Sequence, residues 1–400
     1  MDAVILPVLV LDVAPEEAKN TFLGMLGLGG MAVAALVQPL IGWYSDKTRS
    51  PLGRRVPYMA WGSVFVCLGL AALGFTSSYV SLFVIWVLIQ ANASISYGPF
   101  QAVIRDLVPV NKIGIASSLK ILADASGGMV LIAVSGTLLG RYTGPESFIW
   151  LWITLGTVGG VLLITAIITS CTVLSRERPE NGSRSAEQRS KPTSSDRLHP
   201  QLTWFVGSRY LLIAAIAVFP TYGLFFLRDV VQVTNPAQTF GTMILSIGGA
   251  LALSVYPAGW LSDKIGRKPV SMAGAIAAAV GTIGILYTDS AMQIMVIASF
   301  TGVAIGALLS ANWALANEIG SSGRAGQHMG IVNLATVGGV ASTKMLGPGV
   351  DILNLESSAA GYSALLIGSA VFFLFGALLL LPLRTNLDNA QNTDNHTQDA

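Results

Sequence analysis

Lys120 and Asp124 stand four residues apart in an otherwise apolar stretch. On a helix that spacing puts both on one face, about 6 Å apart. A charge at membrane depth is costly and normally faces protein or a water-filled cavity. Asp124 is the only acid deep inside an apolar stretch of this chain. An ammonium and a carboxylate so placed can exchange an ion pair for a bound proton, which is the chemistry of cation coupling. They can equally form a structural pair that fixes helix packing, and both readings stay open here. Lys344 sits in the corresponding stretch of the other half of the chain. It is a candidate to hold an anionic or polyhydroxyl group, or a residue that snorkels to an interface. Arg209 lies near the start of its apolar stretch, where an arginine more often snorkels.

A second group of charges comes twice. Gly42-Trp43-Tyr44-Ser45-Asp46-Lys47 recurs as Gly259-Trp260-Leu261-Ser262-Asp263-Lys264. Each copy ends an apolar stretch and is followed by glycine and basic residues, Gly53-Arg54-Arg55 or Gly266-Arg267-Lys268. A carboxylate held by arginine across a tight turn, near a helix N-terminus, gains charge-assisted bonds and dipole stabilisation. Such contacts can be made in one conformation and broken in another, so Asp46, Arg54, Arg55, Asp263, Arg267 and Lys268 are candidate gating residues. Gly42 and Gly259 are small enough for close helix approach. Static pinning of the loops is the plainer alternative.

Other chemistry is not indicated. His199, His328 and His396 are expected in loops or the tail, and no metal-ligand spacing, phosphate loop or nucleophile elbow is present. We therefore expect no enzyme, no cofactor and no metal. The basic stretch near the middle carries acids and lacks interleaved aromatics, so nucleic acid is not an expected partner.

The elements that must position these residues are membrane helices. Charged residues make up 11% of the chain and hydrophobic ones 52%, and mean hydropathy is +0.64; soluble domains carry about 25% charge. Nearly charge-free stretches of about 20 residues recur, long enough for a roughly 30 Å hydrocarbon core. The expected spans are 3–11, 21–44, 57–77, 80–102, 114–139, 148–174, 205–227, 239–260, 269–287, 291–317, 330–350 and 361–383. The first is short, and we expect that the sequence as given lacks the start of that helix, a genuinely short helix being the alternative. With both repeated loops on one side, 17 of the 23 Lys and Arg residues fall on that side, three fall opposite and three lie inside spans. The positive-inside rule then makes the repeated loops, the linker and the C-terminus cytoplasmic.

Two halves follow. Residues 1–174 and 205–383 are expected as six-helix bundles related by a pseudo-two-fold axis. They are joined by a polar cytoplasmic linker, 175–204, and followed by a disordered tail, 384–400. The halves also match where Ala102 to Asp106 with Gly114-Ile115 parallels Ala314 to Glu318 with Gly330-Ile331. Parallel half-repeats about a central linker mark one transporter architecture.

On these residues the chain resembles the major facilitator superfamily over nearly its full length. The longer first loop, Ser45 through Pro57, is similar to the form in glycoside–pentoside–hexuronide cation symporters and the related sucrose–proton symporters. Asn92, Gly98-Pro99 and Ala102 through Asp106-Leu107 resemble the fourth-helix pattern of sucrose transporters. That pattern places an Asp early in the helix and an Arg after the Gly-Pro; Gln90 and Gln101 stand there in this chain, and neither ionises. The resemblance implies that the repeated loop steadies an outward-facing state. It also implies that helices one, four, seven and ten line the solute site, which makes Gln90, Asn92, Tyr97, Gln101, Asn312, Trp313 and Lys344 candidate binding residues. Amides beside aromatic platforms suit neutral polyols and sugars.

The expectation is an all-α, multi-pass inner-membrane transporter of the major facilitator fold, a monomer in the lipid bilayer. It would move a sugar, a glycoside or another small polar solute, coupled to a cation, with the proton favoured. The rivals are a drug or metabolite exporter of the same fold, a membrane enzyme, and a non-transporting, receptor-like member.

Overall fold

The computed structural model describes every residue except 1, 49, 109–112, 143, 145–146, 177–199, 289, 320–324, 358 and 384–400. The expected disordered tail and nearly all of the expected linker lie outside the described residues, as do His199 and His396. Among the described residues the only regular structure is helical: α1 (Ile5–Val13), α2 (Lys19–Lys47), α3 (Val56–Leu73), α4 (Tyr79–Leu107), α5 (Ile113–Leu139), α6 (Phe148–Arg176), α7 (Pro200–Asp229), α8 (Pro236–Ile265), α9 (Arg267–Ile285), α10 (Ala291–Ile319), α11 (Ala325–Lys344), α12 (Gly347–Asn354) and α13 (Ala360–Leu378), with one 3-10 turn at Glu16–Ala18. Ten of these are long and apolar enough to cross a membrane. Helices suit that setting because they satisfy their own backbone groups in lipid.

Each expected span contains a helix, and several helices run past the apolar run into polar sequence. Hydropathy marks the hydrocarbon layer, whereas hydrogen bonding continues a turn or more into water. The eleventh span departs from expectation, because it is divided between α11 and α12 at Met345-Leu346. Pro348, in the first turn of α12, has no N–H to give to a carbonyl one turn back. The carbonyls exposed there are taken up from outside the helix. Tyr222 OH donates to Thr343 O at 3.0 Å and to Lys344 O at 3.4 Å.

The chain sorts into two compact units. One comprises Met1–Met25, Ile132–Gly140 and Leu198–Ala400; the other comprises Leu26–Leu131 and Arg141–Arg197. In the first unit small residues let helices approach closely. Ala275, Ala278, Ala279, Ala304, Ala370 and Ala377 pack with Leu212, Leu308 and Phe373 across α7, α9, α10 and α13. Ser208 Oγ donates to Gly376 O at 2.6 Å, and Ser369 Oγ to Ala215 O at 3.1 Å. Without a hydrophobic force between helices in lipid, such packing and bonds hold a bundle together. In the second unit Trp86 Nε1 donates to Leu26 O at 3.0 Å, tying α4 to α2. Ser96 Oγ donates to Met59 O at 3.2 Å, tying α4 to α3.

Candidate functional site

The second unit contains a cavity of about 580 Å³ among α2 to α6. A volume of that size suits a small solute. Its polar wall is built by Gln38, Ser63, Gln90, Ser96, Tyr97, Asp124, Thr165 and Thr169, and Met59, Val66, Phe100 and Leu162 supply apolar surface. Gln90 and Tyr97 fall on one stripe of α4, seven residues apart, so two turns of helix bring both to the same cavity.

Lys120 Nζ lies 2.6 Å from Asp124 Oδ2, as the four-residue spacing requires. It also donates to Tyr97 OH at 3.1 Å, and it stands 5.1 and 5.5 Å from the Tyr97 and Phe100 ring centroids. The ammonium is thus shared between a carboxylate and an aromatic wall. Of the predicted fourth-helix residues, Asn92 turns its amide back on its own helix, donating to Leu88 O at 2.8 Å. Gln101 is exposed and does not line the cavity. Gln38 and Thr165 were not singled out from sequence, because neither carries a charge or sits in a motif.

The first repeated loop closes on itself. Arg55 is buried; its Nη2 lies 2.7 Å from Asp46 Oδ1, and its Nη1 donates to Ser45 Oγ at 2.8 Å. Arg54 also has an interacting partner. In the other unit the second copy is wired differently. Arg267 Nη1 lies 3.1 Å from Glu318 Oε2 and donates to Ala314 O at 3.2 Å. Lys268 Nζ donates to the carbonyls of Leu381 and Leu383 at 2.7 and 2.9 Å. No ion pair to Asp263 is seen among the described residues. What the copies share is backbone and cation–π geometry. Gly53 and Gly266 take φ of +81° and +104°, a region that L side chains rarely adopt. Lys47 sits 3.4 Å over the Trp43 ring and Lys264 sits 3.8 Å over Trp260. Close approach is not what calls for the two signature glycines in this conformation. A Cβ on Gly42 would meet nothing within 4 Å, and one on Gly259 would touch Ser310 Oγ at an ordinary 3.4 Å.

The first unit gathers the remaining charges. Lys344 Nζ lies 3.3 Å from Asp2 Oδ2. Arg209, expected to snorkel, is instead buried. Its Nη1 donates to Asn312 Oδ1 at 2.5 Å and its Nε to Thr336 Oγ1 at 3.0 Å, and the Trp313 ring lies 4.3 Å from Cζ. A third group was missed from sequence. Asp351, on α12, accepts from Asn20 N, Asn20 Nδ2, Thr21 N and Thr21 Oγ1 at 3.3, 2.8, 2.7 and 2.6 Å. Lys19 Nζ lies 2.5 Å from Glu16 Oε1 and 2.7 Å from Asp229 Oδ2, and Tyr362 OH donates to Asp229 Oδ2 at 2.7 Å. Around these groups is a cavity of about 460 Å³. They ties the start of α2 to the ends of α7 and α12.

The comparisons with known proteins agree with this architecture. The family model described as MFS/sugar transport protein matches residues 3–382. Multidrug resistance protein MdtG of Escherichia coli O17:K52:H18 is 25% identical over 308 residues, covering 75% of this chain and 71% of that protein. Among solved structures, a D-xylose–proton symporter superposes with a TM-score of 0.69 at 16% identity, over 96% of this chain and 94% of that one. A bacterial homologue of the iron transporter ferroportin, in its inward-facing state, gives 0.70 at 15% identity, over 94% and 92%. At those identities the likeness is one of fold. The match of the family model along almost the whole sequence makes this chain a member of the MFS/sugar transport protein family, a multi-pass membrane transporter of the major facilitator superfamily.

Proposed function

We propose that the chain moves a small polar solute, a sugar or glycoside, across the cell membrane by alternating access, driven by protons. The observation that carries this reading is the meeting of Lys120, Asp124 and Tyr97 at the polar wall of a solute-sized cavity. A proton on Asp124 would release Lys120 toward Tyr97, so protonation and the shape of the wall are linked. In the proposal, Asp46, Arg54, Arg55, Asp263, Arg267 and Lys268 gate, with Gly42 and Gly259 in the same loops. Gln90 and Tyr97, which line the cavity of the second unit, contact solute there. The halves 1–174 and 205–383 rock about a cytoplasmic linker, and the protein works as a monomer.

Two observations favour a second reading. The likeness to a multidrug resistance protein spans three quarters of the chain, and Met59, Val66, Phe100 and Leu162 give the cavity an apolar side. Export of an amphipathic drug would use that side. Proteoliposomes with an acidic exterior separate the two. Accumulation of a labelled sugar supports the first reading. Proton-driven movement of a cationic dye, with no sugar uptake across a panel of pentoses, hexoses and glycosides, overturns it in favour of the second.

A further inference from the structure

Arg209 is 1% exposed and Asn312 is 2% exposed, on the adjoining helices α7 and α10. A guanidinium offers five N–H donors and accepts nothing. Among the described residues its partners are the neutral Asn312 amide, the Thr336 hydroxyl and the Trp313 ring, and none is an acid. A buried charge without a counter-charge is among the costliest arrangements a protein can hold, and at membrane depth it marks function by default.

The amide next to it is incomplete too. Because the guanidinium only donates, Asn312 must turn Oδ1 toward it. That leaves Asn312 Nδ2 buried with no hydrogen-bond partner. A cation and an orphaned donor therefore stand side by side, and both lack the same thing, an acceptor. The Thr336 hydroxyl does not supply the missing charge. It donates its own proton to Val332 O at 3.2 Å and offers Arg209 only a neutral lone pair.

We propose that Arg209 and Asn312 bind the carboxylate of an anionic solute. This deepens the transport reading above and rests on it; for a sugar solute it means a sugar acid rather than a neutral sugar. A carboxylate brings two oxygens, one for the guanidinium and one for the Asn312 N–H, in the forked geometry that arginine recognises. One cation beside one neutral amide matches a single negative charge, and a phosphate monoester would bring nearly two. Trp313, 44% exposed and lying over the guanidinium, covers the site and offers its ring to the carbon skeleton of the solute. Entry of the anion therefore requires the indole to move, which couples binding to a change at α10.

The test uses purified full-length protein and matched acid and neutral probes: glucuronate with methyl glucuronate ester, lactate with lactamide, and benzoate with benzamide. Binding is read as ligand-dependent thermal stabilisation. In at least one pair the acid should bind about tenfold to a hundredfold more tightly than its neutral twin, the scale of a charged hydrogen bond. Arg209→Gln should erase that preference. Asn312→Asp gives Arg209 an internal counter-charge. That variant should melt no lower than the parent and still lose acid binding, which separates loss of the site from loss of the fold. No acid preference in any pair overturns the proposal, as does a folded Asn312→Asp protein that keeps the preference. Preference for lactate or benzoate but not glucuronate supports the anion site and counts against a sugar. Equal binding of neutral and acidic sugars counts against the anion site and leaves the sugar reading standing.

Discussion

Arg55 and Asp46, nine residues apart in sequence, form an ion pair of 2.7 Å whose arginine is buried and whose carboxylate is 62% exposed. The exposed partner is the one free to leave. In Asp46→Ala the pair is lost at a stability cost of about 1 kcal/mol or less, as for other partly exposed pairs. The larger expected effect is conformational. The variant should change cysteine labelling at the two cavity mouths in opposite directions. Unchanged labelling would mean that the pair only pins its loop.

Lys120 and Asp124 predict a separation of two activities. Asp124→Asn keeps a hydrogen-bonding group beside Lys120 but removes the carboxylate charge. It should abolish solute uptake driven by a pH gradient while sparing solute exchange between equal pools. Full pH-driven uptake in this variant would reduce the pair to a packing device.

Asp351 predicts a stability effect. It is 7% exposed and accepts four hydrogen bonds from Asn20 and Thr21. Asp351→Ala leaves two backbone N–H groups and the Thr21 hydroxyl without their acceptor, and Asn20 Nδ2 with Tyr362 OH alone. Each lost bond to a charged group costs roughly 1.5 kcal/mol or more, so the thermal midpoint should fall by several degrees. A loss confined to the first turns of α2 should also appear as faster amide exchange at residues 19–25. A midpoint within 1 °C of the parent (roughly a few tenths of a kcal/mol) would show that solvent replaces the carboxylate.

Gly53 and Gly266 predict strain. With φ at +81° and +104°, an alanine at either place should lower stability by about 1–2 kcal/mol. Thermal melting of Gly53→Ala and Gly266→Ala checks this, and an unshifted midpoint would show that the loops relax to ordinary φ.

The spans were legible because apolar length is a direct physical requirement of the bilayer, and the Lys120–Asp124 contact because it is local. The repeated loop showed where the clustered charges lie but not whom they touch. Arg267 reaches Glu318, 51 residues on, and no pattern of spacing announces a pairing at that distance. Arg209 misled because proximity to a helix start suggests an interface, whereas α7 begins at Pro200 and carries the residue inward. Asp351 and Asn20 were overlooked because they flank apolar runs, where polar residues read as loop.

The two indole–ammonium pairs, Lys47 on Trp43 and Lys264 on Trp260, have a mechanical meaning. Each joins an amphipathic ring to a positive charge within one helical turn, and groups of both kinds favour the lipid headgroups. Each half of the sequence thus carries its own waterline. A helix so marked can tilt about that level but resists being pushed through it. In bilayers of different thickness the adjustment should therefore appear as a change in helix tilt, with each tryptophan keeping its own depth.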